Sequence, residues 1–241
     1  MGAMSERKVC VVVGIGPGLG AAAARRFARG GFAVALMARG ADKLAPVEKE
    51  IVDAGGNALS IAVDGTDAAA VHAAFARVRG TLGAPEVLVY NAGAFQMGGL
   101  LEVSPEDFER CWKANCFGGF LAAREVVPDM LKAKRGTLLF TGATAALRGG
   151  ARFSCLAVGK FGLRALAQSL ARELGPQGIH VAHVIIDGQI DTPRVRHMMP
   201  GREGHTLLSP DAIAEQYFQL YAQDPTTWTQ ELDLRPAVEK F

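Results

Sequence analysis

The sequence predicts one α/β domain in which helices cover both faces of a parallel sheet, a doubly wound arrangement. Two patterns carry this prediction: short runs rich in valine, isoleucine and leucine alternate with helical segments, and a cluster of glycines joins the first run to the first helix. The chain has 241 residues, of which 49% are hydrophobic and 21% charged, which is enough for one large core. We therefore expect a single domain over residues 1–241.

The apolar runs are the predicted strands. Strands buried on both faces of a parallel sheet have nearly continuous apolar sequences, and each crossover between them needs a helix. Six runs fit this description, and a shorter run near the end of the chain predicts a seventh strand. The predicted strands are residues 9–13, 33–37, 59–63, 87–90, 137–141, 181–186 and 228–234.

Helical segments lie between these strands, and one long stretch near the C-terminus is irregular. Ser104 and Ser209 are each followed by proline and an acidic residue, a typical helix start. The polar segment at about 190–208 contains proline and glycine, so we expect a loop or short helices that cover the carboxyl edge of the sheet as a lid. The predicted helices are residues 19–29, 42–54, 67–79, 105–132, 153–174 and 210–223.

Composition excludes several classes of partner. The net charge is +2 and basic residues are scattered, which predicts no nucleic-acid or membrane surface and favours a small molecule. Four cysteines without C-x-x-C spacing suit reduced, buried thiols of a cytoplasmic protein, and we expect no metal site. His180 and His183 lie three apart in a strand and face opposite sides, so they cannot share a metal.

The glycine-rich turn after the first strand predicts a dinucleotide site. Glycines there let the backbone turn sharply and approach a pyrophosphate, while the N-terminus of the next helix faces the anion. The second strand ends at Arg39 with no acidic residue to bind a ribose hydroxyl, and an arginine suits a ribose phosphate. NADP(H) is therefore favoured over NAD(H). The residues of the turn assigned to the cofactor are Gly14, Gly16, Gly18, Leu19 and Gly20.

Over nearly its whole length the chain resembles the short-chain dehydrogenase/reductase family. The resemblance rests on the glycine turn, Asp64, the segment Asn91-Ala92-Gly93, Asn115 and Lys160. It implies that Asp64 contacts adenine and that Asn91, Ala92 and Gly93 line the adenosine side. It also implies that Gly188, Ile190 and Thr192 shape the nicotinamide end, although Asp187-Gly188 stands where the family has Pro-Gly. A homodimer or homotetramer through the long helices is implied as well.

The family's catalytic hydroxyls have no counterpart here. The resemblance implies a tyrosine four residues before the lysine, but that position is Leu156, and the six-residue spacing of related enoyl reductases gives Phe153. The family's serine aligns with Ala143. Lys160 lies in an apolar stretch that favours a ribose-binding role over a surface one, so it stays a catalytic candidate. Asn115 is either catalytic or a structural hydrogen-bonding residue.

Other residues are candidates for the missing proton donor. Thr141 and Thr144 flank the serine position and could reach a substrate oxygen, although a threonine without a base is a poor acid. His197 and His205 lie in the predicted lid and either close over a substrate or face solvent.

Two functions remain open on this evidence. The first is an NADP(H)-dependent oxidoreductase with a non-standard proton donor, which reduces a carbonyl, an activated C=C bond or an imine. The second is a non-catalytic NADP(H)-binding protein that senses the nucleotide or assembles with a partner.

Overall fold

A computed structural model describes residues 8–238 and contains one seven-stranded, fully parallel sheet. The strand order is β3-β2-β1-β4-β5-β6-β7, so the chain winds outward from β1 in one direction and from β4 in the other. This confirms the predicted doubly wound α/β fold. The strands are β1 Val9–Val13, β2 Ala33–Ala38, β3 Asn57–Ala62, β4 Pro85–Tyr90, β5 Gly136–Thr141, β6 Ile179–Ile186 and β7 Glu231–Leu234.

Eight α-helices connect these strands within the described part of the chain. They are α1 Leu19–Arg29, α2 Ala41–Asp53, α3 Ala68–Thr81, α4 Pro105–Trp112, α5 Gly118–Ala133, α6 Ser154–Leu174, α7 Pro193–Met198 and α8 Pro210–Tyr221. Helices α1, α2 and α8 pack on one face of the sheet, and α3, α5 and α6 pack on the other. Each face has its own hydrophobic cluster, so the sheet is buried on both sides, as the apolar runs predicted.

The topology places the glycine-rich turn at the centre of the sheet's carboxyl edge. Strand β1 pairs with β2 on one side and β4 on the other, and the chain changes winding direction between β1 and β4. In open α/β sheets, ligands bind in the crevice at this switch point. The turn from Gly14 to Gly20 follows β1 directly and therefore lies beside the loop that follows β4.

The helix predicted over residues 105–132 is interrupted. Between α4 and α5 the chain forms a π-helical turn over Lys113–Phe117, and Asn115 lies at its centre. The Asn115 side-chain amide donates a hydrogen bond to the carbonyl of Cys111, four residues earlier, at 2.9 Å, and the hydroxyl of Tyr90 donates to the carbonyl of Ala114 at 2.7 Å. Side chains thus occupy carbonyls that a regular helix would use, a recognised cause of such turns.

The segment at about 190–208 contains short structure rather than a plain loop. The hydroxyl of Thr192 accepts a hydrogen bond from the amide of Val195 and caps α7. A backbone bridge joins Ile190 to Leu208, so the two ends of the segment lie side by side. The final strand is shorter than predicted and begins at Glu231. Trp228 lies before it, and its ring stacks on that of His180.

Candidate functional site

The turn after β1 is held in place by strands β2 and β4. The amides of Gly14 and Ile15 both donate to the carbonyl of Met37, at 2.8 and 3.1 Å. The side-chain amide of Asn91 donates to the carbonyl of Gly14 at 2.9 Å. Gly14 has φ +99°, and a Cβ there would collide with the backbone of Ala92. The predicted residues Gly14, Asn91 and Ala92 therefore lie in direct contact.

The remaining glycines of the turn have different reasons to be glycine. A Cβ at Gly18 would lie 2.6 Å from the Thr192 methyl, and one at Gly20 would collide with the carbonyl of Gly14. A Cβ at Gly16 would meet nothing within 4 Å. Gly18 and Gly20 thus allow close packing, whereas Gly16 borders open space at the amino end of α1, where an anion would bind.

A cavity of about 440 Å³ lies at the carboxyl ends of strands β1 to β4. Arg39, Asp64, Asn91, Ala92 and Gly93 are all among its lining residues, so the structure brings together the residues assigned to the adenosine side. Asp64 accepts hydrogen bonds from the amide and the hydroxyl of Thr66, at 2.9 and 2.8 Å. These bonds, with a smaller contribution from nearby Arg39, lower the pKa of Asp64 below its usual value.

Two charged residues at this end were missed from the sequence. Lys43, in the first turn of α2, lines the cavity together with Arg39 and adds a second positive charge. Asp42 brings an acidic side chain against Gly40, which precedes α2. The signal was available, since α2 follows β2 so closely that its first turn must lie near the end of that strand. Arg39 and Lys43 therefore line the region expected for a ribose phosphate, and the carboxylate of Asp42 lies next to it.

Lys160 is buried at the other end of the site. Its side chain is 7% exposed, and Nζ donates to the carbonyl of Thr141, at the end of β5, at 2.7 Å. A Cβ on Gly93 would lie 3.8 Å from Nζ, so the ammonium also lies beside the loop after β4. Burial lowers the pKa of Lys160 from 10.5 to about 8, because a charge is costly away from water. This location is incompatible with a solvated surface lysine.

Asn115 is fully buried beside Lys160. Its Nδ2 donates to the carbonyls of Ala94 and Cys111, at 2.7 and 2.9 Å, while Oδ1 has no partner among the described residues. A Cβ on Gly93 would lie 2.9 Å from that Oδ1, and one on Gly159 would lie 2.6 Å from the Asn115 Cβ. Asn115 Nδ2 therefore makes structural hydrogen bonds, which is one of its two expected roles. Its Oδ1 can still accept a hydrogen bond from a ligand or water.

The positions expected for the family's hydroxyls border the same region. Ala143 and Leu156 are both partly exposed; Ala143 follows β5, and Leu156 lies one helical turn before Lys160. Phe153, at the alternative spacing, packs against Phe95 with ring centroids 5.5 Å apart and the rings tilted by 44°.

The two threonines beside Ala143 are already hydrogen bonded. The Thr141 hydroxyl lies 2.8 Å from that of Tyr217 in α8, on the face of the sheet opposite α6, so of the two threonines only Thr144 stays a candidate to reach a substrate oxygen. The Thr144 hydroxyl donates to Asp187 Oδ1 at 2.5 Å. Asp187 is 5% exposed and was considered only as a deviation from the family's turn.

The turn after β6 completes this end. Gly188 has φ +149°, and a Cβ there would lie 3.0 Å from Leu208 and 3.1 Å from Pro236. Ile190 and Thr192 follow, and Thr192 reaches the glycine-rich turn through Gly18. All three residues predicted for the nicotinamide end therefore lie at the carboxyl edge, where the segment at about 190–208 begins and Thr192 meets the glycine-rich turn.

No histidine among the described residues lines the cavity. His197 and His205 are exposed, and His205 pairs with Glu203 at 3.1 Å. His180 stacks on Trp228, and burial lowers the pKa of His183 to about 4, so His183 is neutral at physiological pH. Within residues 8–238 no group of three or more His, Cys, Asp or Glu side chains is arranged to hold a metal ion.

No helix in the described part of the chain is both long and apolar enough to cross a membrane. Of the four cysteines, Cys10, Cys111 and Cys155 are buried free thiols, whereas Cys116 is partly exposed, contrary to expectation.

Comparison with known proteins agrees with this geometry. The model of the short chain dehydrogenase family matches residues 8–202. The chain belongs to this family. The 3-oxoacyl-[acyl-carrier-protein] reductase MabA of Mycobacterium tuberculosis is 33% identical over 186 residues, covering 77% of this chain and 70% of that protein.

Two solved structures are similar over almost the whole chain. A short-chain dehydrogenase from Rhodopseudomonas palustris is 39% identical, with a TM-score of 0.83 over 96% of this chain and 99% of that one. A metagenomic short-chain oxidoreductase in complex with NADP is 30% identical, with a TM-score of 0.83 over 96% and 98%. The protein is thus a short-chain dehydrogenase-type oxidoreductase with a site for a nicotinamide cofactor.

Proposed function

We propose that this protein is an NADP(H)-dependent reductase that transfers a hydride to a small organic substrate without the tyrosine and serine that the family uses. The observation that carries the proposal is the buried pair Lys160 and Asn115, which lies beside Gly93 where a cofactor ribose would sit, while neighbouring Ala143 and Leu156 offer no hydroxyl. Keeping a charged lysine out of water costs stability, and a ligand that uses its charge accounts for its retention.

Different residues of the chain would bind different parts of the cofactor. Gly16 and the open amino end of α1 would bind the pyrophosphate, Asp64 the adenine and Lys160 the nicotinamide ribose. Gly188, Ile190 and Thr192 would position the nicotinamide ring. The bound nicotinamide supplies the hydride, and the protein supplies its orientation and excludes water.

Preference for NADP(H) over NAD(H) is part of the proposal. Arg39 and Lys43 both line the cavity at the end of β2 and provide two cations for a ribose phosphate. The similar metagenomic oxidoreductase is in complex with NADP. Asp42 opposes these cations, so the preference depends on the balance of the three side chains.

The missing hydroxyls restrict the chemistry. Reduction of a ketone develops an alkoxide that needs a proton donor, whereas an activated C=C bond or an imine can take its proton from water. A carbonyl substrate would need an acid from the segment at about 190–208, where His197 is the candidate. The competing function is a non-catalytic NADP(H)-binding protein.

A fluorescence titration with NADPH, followed by a turnover screen on ketones, aldehydes, enones and imines, tests the proposal. We expect binding and oxidation of NADPH with at least one class. Tight binding without oxidation across the panel would favour the non-catalytic function, and no nucleotide binding would contradict both.

A double variant tests whether the retained residues are arranged for the family's reaction. Leu156→Tyr with Ala143→Ser should raise the rate of ketone reduction above that of the wild type, since Lys160 lies one turn away and stabilises a phenolate. The single variant Leu156→Phe, which adds the ring without the hydroxyl, is the matched control. A ketone rate that stays at background in the double variant would contradict the proposed placement of Lys160 and Asn115.

We also propose a homodimer or homotetramer, supported by large apolar side chains that are partly exposed on α4, α5 and α6. They are Phe108, Trp112, Phe120, Val158 and Phe161. Exposed apolar groups of this size are a typical sign of an interface. A cytoplasmic location stays a prediction from the sequence.

A further inference from the structure

Asp187 places a carboxylate where the resemblance implies a proline. It follows β6, directly before Gly188 of the proposed nicotinamide turn, and only 5% of it is exposed. Its Oδ1 accepts the hydroxyl proton of Thr144 at 2.5 Å. Thr144 follows Ala143, is partly exposed, and starts the turn that leads toward α6. A buried carboxylate thus lies behind Thr144. We call Thr144 and Asn115 the polar wall of the site, which a substrate would face.

Their existing hydrogen bonds leave Thr144 and Asn115 able to accept, but not donate, a further hydrogen bond. Because the Thr144 proton points to Asp187, the Thr144 oxygen presents only lone pairs to the site. Both protons of the Asn115 amide are used by the carbonyls of Ala94 and Cys111, which leaves Oδ1 as the unpartnered atom. These side chains therefore suit a group that donates hydrogen bonds or carries positive charge.

The charged side chains behind Thr144 carry a net negative charge. Asp187 Oδ2 lies 3.6 Å from Nη2 of Arg235, and that guanidinium also pairs with Asp233. Two carboxylates share one arginine, so the three groups together carry one net negative charge. Because Asp187 is buried, water and salt screen its charge less than they screen Asp233.

We propose that the substrate of this site is an iminium cation, stabilised by Asp187 through Thr144. This inference rests on the proposed reductase function. A hydride adds to the iminium carbon, the C=N π electron pair becomes the nitrogen lone pair, and the products are a neutral amine and NADP⁺. No proton donor is needed, because the substrate is positive before the step and neutral after it.

Other hydride acceptors fit this wall poorly. A ketone becomes an alkoxide and an enone becomes an enolate, and both place negative charge beside a carboxylate and a hydroxyl that cannot donate. The absence of both family hydroxyls and the presence of Asp187 thus both favour a cationic substrate over a ketone or an enone. Restoring donors at Leu156 and Ala143 would favour the carbonyl, whereas Asp187 favours the cation.

Binding of a cation can be measured apart from turnover. The full-length protein is saturated with 1,4,5,6-tetrahydro-NADP, whose nicotinamide-derived ring is uncharged like that of NADPH but cannot donate a hydride, and is titrated calorimetrically with N-methyl dihydroisoquinolinium, a permanently charged cyclic iminium. Its uncharged carbon isostere, methyl dihydronaphthalene, is the reference ligand. We expect the cation to bind at least about tenfold more tightly, as one nearby unscreened charge allows.

Two variants assign the preference to Asp187. Asp187→Asn removes the charge but can still accept the Thr144 hydrogen bond, and should reduce the preference to about equal binding. Asp233→Asn removes the other carboxylate from the same arginine at a more exposed position, and should lower the preference less than Asp187→Asn does. Should Asp187→Asn fail to fold, Thr144→Val, which removes the hydroxyl between the carboxylate and the site, should lower the preference severalfold.

The outcomes separate this inference from the proposed function. Binding of the tetrahydro cofactor with no preference for the cation, or a preference that survives Asp187→Asn, overturns the inference and leaves the reductase proposal in place. Failure to bind the tetrahydro cofactor at all contradicts the reductase proposal itself. In a parallel assay, NADPH oxidation by the iminium should exceed that by tetralone, and the reverse order would contradict the assigned substrate class.

Discussion

The ammonium group of Lys160 lies 2.7 Å from the carbonyl oxygen of Thr141, at the carboxyl end of β5. One hydrogen bond to a neutral carbonyl does not compensate for burying a charge, so Lys160 is held at a cost in stability. Three expected outcomes follow from this relationship, one for a variant and two for pH.

Replacing Lys160 by methionine should separate binding from stability. Lys160→Met should weaken NADPH binding by roughly tenfold or more, since hydrogen bonds to a charged group contribute about 1.5–3 kcal/mol. Its free energy of unfolding should equal or exceed that of the wild type, because a buried charge is replaced by an apolar chain of similar length. Fluorescence titration and urea unfolding measure the two quantities.

Lys132→Met is the matched control, because Lys132 is 81% exposed on α5, outside the site. It should change neither affinity nor stability appreciably. A Lys160→Met variant that binds NADPH like the wild type would show that the lysine does not contact the cofactor.

The affinity for NADPH should fall as pH rises through about 8, where Lys160 loses its proton. If only the charged form binds, the dissociation constant should be flat below this pH and then increase by up to about one decade per pH unit. Titration of the wild type and Lys160→Met across the same pH range checks this. A wild-type profile parallel to that of the variant would contradict the assignment.

Stability should change in the opposite direction with pH. Burial lowers the pKa of Lys160 from 10.5, so between about pH 8 and 10.5 the unfolded chain binds more protons than the folded one. Stability therefore rises with pH across this window, by roughly 3 kcal/mol from the lysine. The difference in unfolding free energy between Lys160→Met and the wild type should accordingly shrink from pH 8 to 10.5, and a constant difference would count against a buried, charged lysine.

How much of this could be predicted from sequence differs between the fold and the site. Buried parallel strands and the glycine-rich turn have local sequence patterns, and these predicted all seven strands of the described chain and the turn after β1. The π-helical turn at Asn115 depends on Ala94 and Tyr90, which come from a distant loop and strand. Such contacts leave no periodic pattern in the sequence of the helix itself.

The polar wall of the site shows the same limit. Thr144 and Asp187 are 43 residues apart and meet because β5 and β6 are neighbours in the sheet. The sequence indicated both residues, but which way the Thr144 proton points is decided by their contact. Similarly, Thr141 has the right residue type at the right strand end, and its hydroxyl faces the opposite side of the sheet.

Gly16→Ala should weaken NADPH binding while leaving stability almost unchanged. The new methyl group meets no protein atom within 4 Å, but it enters the space at the amino end of α1 that the pyrophosphate would occupy. We expect at least about a tenfold loss of affinity. Gly80→Ala, at an equally open position inside α3, should keep the affinity and raise stability by about 0.5–1 kcal/mol. Equal NADPH affinities in the two variants would refute the placement of the pyrophosphate.

Arg39 and Asp42 should act in opposite directions on cofactor choice. Arg39→Ala should reduce the preference for NADPH over NADH by roughly tenfold, since a charged contact to the ribose phosphate is lost. Asp42→Asn should increase that preference, because the carboxylate beside Gly40 would repel the phosphate. Dissociation constants for both cofactors at fixed ionic strength give the ratio. Changes of the same sign in the two variants would show that the phosphate does not lie at this end of β2.

Phe161→Glu should convert the proposed oligomer into monomers. Phe161 is 42% exposed on α6, and burying a charge at its position within an apolar interface would cost several kcal/mol. Leu101→Glu is the control, because Leu101 is 98% exposed on a turn before α4. Sedimentation should show an oligomer for the wild type and for Leu101→Glu, but a folded monomer for Phe161→Glu. A monomeric wild type would remove the oligomer from the proposal, and an oligomeric Phe161→Glu would move the interface away from α6.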